Sequence, residues 1–239
     1  MKLTLSTTAL GLALAFGSSA VLADSSASVT QTGDWNKAVV EQSNNNDADA
    51  VISVLGSFND TTIEQRNNRD VEGNIDVTFG FGNTSVIVTE YARDSDASIV
   101  QSFATGSDAT IEQRGSKGKR DTNYAYDLHA SITQTASWGD VAWITQTGSG
   151  QDATILQSGK GNVAGIEQSG SGKGGSNDAY ISQAGVHNDA FVKQNGRNLS
   201  ATVGQTGALN VAVVDQRGRN LTATVSQTGT GNNAYVHQR

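Results

Sequence analysis

Three histidines, 23 acidic residues and no cysteine are the conventional catalytic and metal-binding groups of this 239-residue chain. A nucleophile with its base, or a metal site, needs two or three such groups converging on one point. His129, His187 and His237 are far apart in sequence; His187 falls in a Gly/Asn turn, and His237 lies beside Gln238 with alternating facing. Asp47/Asp49 and Asp94/Asp96 also sit in turns, where Asp is ordinary. Without cysteine there is no thiolate chemistry and no Cys-based zinc site. No G-G-x-G-x-D repeat of the calcium-binding kind occurs. Lys117, Lys119 and Arg120 form a basic stretch that reads as a solvated insertion, and Trp35, Trp138 and Trp143 are too scattered for a ligand platform. The chain therefore reads as neither an enzyme nor a cofactor or metal binder.

The side chains that do recur at fixed spacing are amides. Fifteen of the sixteen glutamines share one frame: Gln31, Gln42, Gln65, Gln101, Gln113, Gln134, Gln146, Gln157, Gln168, Gln183, Gln194, Gln205, Gln216, Gln227 and Gln238. Two residues before each stands Val or Ile; four before stands Ala, except for Thr61. Three more segments fit with the glutamine replaced: Ala50-x-Ile52-x-Val54, Ile75-x-Val77-x-Phe79 and Val86-x-Val88-x-Glu90. Paired in order, the segments form nine units. Within a unit the halves lie 11 or 12 residues apart, whereas the step to the next unit runs from 11 to 21, so long insertions collect on one edge. The other edge carries Gly33, Gly159, Gly185, Gly207 and Gly229 two residues after a glutamine. Asn36, Asn59, Asn162, Asn188, Asn210 and Asn232 stand at that edge as well, and Gly and Asn both tolerate positive φ.

These spacings dictate strands. A-x-Ψ-x-Q, where Ψ is Val or Ile, has period 2, so Ala, Ψ and Gln share one face while the freely varying residues take the other. Helices are opposed by the β-branched content and by a turn signal in every period. The expected fold is all-β: a solenoid of about nine two-strand rungs of ~22 residues, stacked ~4.8 Å apart into a rod on the order of 40 Å long. Its core would be thin, because Ala brings the sheets together. An inward amide would otherwise cost roughly 1–3 kcal/mol; with the same residue above and below it, each amide bonds its copy and the ladder satisfies itself. In this frame Glu90 points inward, which would make the third rung, with Phe79 and Glu90 in place of glutamines, the weakest one.

Composition agrees with sheet. Proline is absent, as expected where nearly every N–H enters a ladder. Lys2, the apolar run ALGLALAF at 9–16 and the small residues Val21 and Ala23 read as a secretory leader over 1–23, with cleavage after Ala23 and the repeat domain at 24–239. The net charge of −7 becomes −8 without Lys2, which opposes nucleic-acid binding by bulk charge. No other run is long and apolar enough to span a membrane as a helix.

The Q-x-G-x-x-N-x-A-x-x-x-Q unit stands in full at Gln31–Gln42, Gln157–Gln168, Gln183–Gln194, Gln205–Gln216 and Gln227–Gln238. It resembles the curlin repeat of bacterial curli fimbriae, over essentially all of residues 28–239. The resemblance implies a secreted functional amyloid on the bacterial surface, a homopolymer supporting adhesion and biofilm matrix. It also implies a nucleator, an outer-membrane secretion pore and a periplasmic chaperone as partners. The chain departs from that pattern where a serine precedes the first Gln by six residues: only Ser25 and Ser95 remain. Other readings are a minor curlin that nucleates growth, to which the basic Arg239 points, and a monomeric ligand- or ice-binding solenoid. Lys, Glu, Asp and Tyr interrupt the outward Thr array that ice binding would need. Both chain ends read as uncapped rungs, whose unlike edges would join head to tail.

Overall fold

The computed structural model describes residues 3–7, 12–16, 25–115, 125–170 and 175–239; Ala23, Lys117, Lys119 and Arg120 lie outside them. It is a β-solenoid whose strands alternate between two parallel sheets, of eleven and ten strands. Its nine rungs each place one strand in the first sheet and the next in the second. They are Ser26–Thr32 with Lys37–Ser43, Asn46–Ser57 with Asp60–Arg66, and Arg69–Phe81 with Thr84–Glu90. Ala92–Ser102 with Asp108–Arg114, Leu128–Trp138 with Val141–Gly148, and Gln151–Lys160 with Val163–Gly170 follow. Asn177–Val186 with Asp189–Arg197, Leu199–Ala208 with Val211–Arg219, and Thr222–Thr230 with Asn233–Gln238 complete the stack. The backbones of Leu3–Thr7 and Leu12–Phe16 add one strand to each sheet, against the first rung.

The period-2 pattern becomes an alternation of buried and exposed residues. In the seventh rung Ala179, Ile181 and Gln183 are buried while Asp178 and Tyr180 face out. Stacking is residue on residue: Ala179 pairs Ala201, Ile181 pairs Val203 and Gln183 pairs Gln205. The largest fully buried side chains are isoleucines and Leu128, with no aromatic ring among them. Each buried Val or Ile contributes roughly 1.5–3 kcal/mol. A one-residue slip would turn all of them outward together.

Two features of the third rung correct the sequence frame. Val54 pairs Val77, which pairs Gln101, so the glutamine position is held by Val77 and the inward set is Gly73, Ile75 and Val77. In the second strand Thr89 aligns with Gln65 and Gln113, making the inward set Ser85, Ile87 and Thr89. Phe79 is then an exposed turn residue with φ 53°, and Glu90 points outward between Arg66 and Arg114. The frame slipped because Gly73 and Ser85 replace the anchoring Ala, while Val86 and Val88 mimic inward residues. Glu90 is not a buried charge, and it gives no reason for a slow or weak rung. The extra residues that lengthen this turn in the third, fourth and fifth rungs are Phe79, Phe103 and Ala136, with φ of 53°, 53° and 49°.

The arc in which each first-sheet strand ends, called here the first arc, reverses the chain through positive φ. Gly33, Gly159, Gly185, Gly207 and Gly229 have φ between 110° and 124°. They also stack so closely that a Cβ on Gly185 would collide with the carbonyl oxygen of Gly207. Gly204, on the outer face of the same rung stack, has open space where a Cβ would go. Gly185→Ala is therefore expected to lower the guanidinium midpoint of the folded solenoid markedly, whereas Gly204→Ala leaves it unchanged or raises it. Equal tolerance of both substitutions would contradict the stacking register.

Candidate functional site

The repeated amides come together as two ladders, one per sheet. In the first, hydrogen bonds run from each Nε2 to the next Oε1 along Gln101, Gln134, Gln157, Gln183 and Gln205 to Gln227, at 2.7 to 2.9 Å. In the second, Gln42 donates to Gln65, and the series resumes from Gln113 through Gln146, Gln168, Gln194 and Gln216 to Gln238, at 2.8 to 3.0 Å. The remaining Nε2 hydrogen crosses to the other sheet. Gln183 donates to the carbonyls of Val163 and Asn188, at 2.9 and 2.8 Å, tying the end of one strand to the start of the next. Each such bond is worth about 0.5–1.5 kcal/mol net, but an orphaned amide costs roughly 1–3 kcal/mol, so the ladder enforces register more than it adds stability.

The ladders break in the first four rungs. Val54 and Val77 separate Gln31 from Gln101, and both amide atoms of Gln31 are buried without a partner among the described residues. Thr89 separates Gln65 from Gln113, and its Oγ1 is likewise unpartnered. Gln151, the glutamine outside the repeat frame, is buried in the second arc, on the opposite edge, and donates to the Thr147 carbonyl at 2.9 Å.

A third ladder runs along the first arc and is longer than the sequence indicated. Asn36, Asn59, Asn162, Asn188, Asn210 and Asn232 belong to it, and Asn83, Ser107 and Asp140 fill the gap between them. Each asparagine Oδ1 accepts the backbone N–H one rung on, and Nδ2 donates to a carbonyl, as Asn188 does to Gly207 at 3.1 Å. A search for Asn alone misses Ser107 and Asp140; position relative to the following small residue finds them. The second arc holds a shorter set, with Asn45, Asn68 and Asn177 buried and bonded to neighbouring rungs. Ser25 and Ser95 accept the N–H of Ala48 and Leu128 there, at 3.1 and 3.2 Å.

Asp140 is the one carboxylate in the first-arc ladder. Its Oδ1 accepts the Asn162 N–H at 2.8 Å, but Oδ2 is buried with no partner. Where an asparagine would donate to a carbonyl, the acid has a donor only when protonated. Burial pushes its carboxyl up, and hydrogen bonds from the Asn162 backbone and side chain and the Gly161 backbone offset this in part.

On the outer face, Asp49, Glu72, Asp96, His129, Asp152 and Asp178 align in successive rungs. His129 Nδ1 lies 3.3 Å from Asp96. Burial, then the neighbouring Asp152 charge, raises the Asp178 carboxyl. His237 Nδ1 is 3.3 Å from Asp215, and His187 occupies the first arc with φ 53°. The three histidines thus stand on separate parts of the rod.

The geometry is a register-locked stack of Gln and Asn ladders on an A-x-Ψ-x-Q frame, and the curlin associated repeat matches it at residues 23–53, 142–170 and 196–229. The chain carries curlin associated repeats. No curated protein matches it. Two of the matched stretches carry unbroken ladders and the first carries the first rung, where Gln31 is unpartnered; residues 54–141, left unmatched, contain Val77, Thr89 and the turn insertions. These repeats support a structural subunit of curli type.

Linkage fixes the sign of one prediction. Because the folded state raises the Asp140 carboxyl, the contribution of this group to stability is fullest below the free Asp range near pH ~4 and is lost as pH rises through the folded value. Asp140→Asn supplies the missing donor, so it is expected to stabilise the solenoid at neutral pH by about 1–3 kcal/mol. The gap should close in acid, as read from denaturant midpoints at pH 3 and pH 7. An equal or lower midpoint for Asp140→Asn at pH 7 would contradict the assignment.

Proposed function

We propose that the chain is a secreted subunit of extracellular curli-type amyloid fimbriae, growing head to tail and serving adhesion and biofilm matrix. What carries this reading is the match between the two ends of the rod. The first rung presents Ala27, Val29, Gln31, Asn36, Ala38, Val40 and Gln42, and the ninth presents Ala223, Val225, Gln227, Asn232, Ala234, Val236 and Gln238 in the same positions. In the ninth rung Ala234, Val236 and Gln238 are only half-buried.

Bond polarity supports the same junction. Glutamine Nε2 donates toward the higher-numbered rung, so Gln227 and Gln238 face outward as donors, and unpartnered Gln31 stands at the other end with a free Oε1. The asparagines donate the opposite way, Asn232 to Asn210 at 2.9 Å, so a following copy would donate from Asn36 to Asn232. Contact between unlike ends does not close on itself and propagates. Residues 1–23 are proposed to leave as a secretory leader, which frees the backbone edge of the first rung. An outer-membrane pore, a periplasmic chaperone and a surface nucleator are the partners proposed from the curlin repeats.

The test is growth of the chain from residue 24 onward at neutral pH. Filaments with reflections near ~4.7 and ~10 Å are expected from strand and sheet spacings. Val236→Lys puts a charge at the proposed docking face; added at a few per cent, it should cap growing ends and stop elongation. Elongation at the wild-type rate with that variant present, or a chain that stays monomeric at high concentration, overturns the proposal.

A further inference from the structure

The first arc carries a ridge of exposed rings that the stacking does not require. Trp35, Phe58, Phe79, Phe81, Phe103 and Trp138 are each more than half exposed, two in the third rung and one in each of the other first five rungs. Their placement goes against local backbone preference. Trp35, Phe58 and Phe103 have φ of 57°, 60° and 53°, the left-handed region that large L side chains avoid. In the column of Trp35 and Phe58, the third to sixth rungs use Gly82, Gly106, Gly139 and Gly161 instead. The second arc meets the same backbone need mostly with Asn44, Asn67, Asn198 and Asn220, which tolerate it, and with a single ring, Tyr91. Bulky rings held where glycine or asparagine would suffice point to a role outside folding.

The edges also differ in charge. The second arc bears the pairs Arg69–Asp70 and Arg93–Asp94. The ridge bears Asp34 at its first-rung end and Lys160, 5.3 Å over the Trp138 ring, at its sixth-rung end. Trp35 and Phe58 stack at 6.4 Å with planes 12° apart, and Phe79 stacks on Phe103 at 5.1 Å. Phe58 also meets Phe81 at 5.2 Å, so most of these rings share a face with a neighbour, which suits packing against another ridge better than a ligand that needs a free ring face.

We propose that this ridge is a lateral self-association surface, through which two copies pair side by side and antiparallel. A two-fold axis between the third and fourth rungs sets Asp34 of each copy against Lys160 of the other, Phe58 against Trp138, and Phe81 against Phe103. The contact is self-complementary, as a two-fold interface requires. It deepens the filament reading, since in a filament it would bundle rods, but it needs only the solenoid.

Because the chain has no cysteine, cross-linking has no background. Asp34→Cys and Lys160→Cys chains are mixed under mild oxidation, with Gly204→Cys as an outer-face control. Each mixed pair keeps the second Asp34–Lys160 contact intact. The expected result is a disulfide between positions 34 and 160 formed at least tenfold more than 34–34, 160–160 or control products. The triple variant Trp35→Ser, Phe103→Ser, Trp138→Ser should lose paired rods in electron micrographs while single filaments persist. Predominant 34–34 links, or links no greater than control, overturn the antiparallel ridge contact. If the chain forms no filament, the same cross-links are read on the soluble protein, so failure of fibre growth strikes the fimbrial reading alone.

Discussion

A buried primary amide must find donors and acceptors, and in this rod it finds them in a copy of itself one rung away and in the carbonyls of the facing sheet. The rest of the structure follows from that constraint. Gln157 is satisfied by Gln183 and Gln183 by Gln205, at 2.9 and 2.8 Å, only if every intervening turn delivers the strand to the same register. Glycines at positive φ make the turn, Ala lets the sheets approach, and Val or Ile supplies the apolar contact between them. Hydrophobic burial provides most of the driving force, whereas the amides decide which of many possible stackings is formed.

The same constraint makes the ends of the rod reactive. A ladder interior is closed, but its last amide carries an unused donor and its first an unused acceptor. In the proposed filament, polymerisation would be the continuation of folding, with the next chain taking the place of the next rung. Broken ladders lie toward the first end, where Val54, Val77 and Thr89 interrupt them, and unbroken ones toward the last.

Most of this was legible in the sequence. The period-2 pattern and the glutamine frame specify two sheets, about nine rungs and an inward amide, and the rungs and ladders stand at those positions. The frame failed in the third rung, where Gly73 and Ser85 replace Ala and alternating valines offer a false inward set. There the correct register is fixed by neighbours above and below, a long-range term no local pattern contains. For the same reason Ser107 and Asp140 were invisible as members of an asparagine column: their role comes from the rung beneath them. The αL conformation of Trp35 and Phe58 was hidden too, since nothing in a Trp or Phe announces positive φ.

The central claim is that one chain's ladder continues into the next through unlike ends. Solid-state NMR on filaments grown from a mixture of ¹⁵N-labelled and ¹³C-labelled chains tests it directly, because only contacts between chains give cross-signals. The account predicts signals from the side-chain nitrogens of Gln227 and Gln238 to the side-chain carbonyls of Gln31 and Gln42. Interchain signals between identical residues, Gln183 to Gln183 and Gln205 to Gln205, would mean that chains stack flat and in register, and would contradict it.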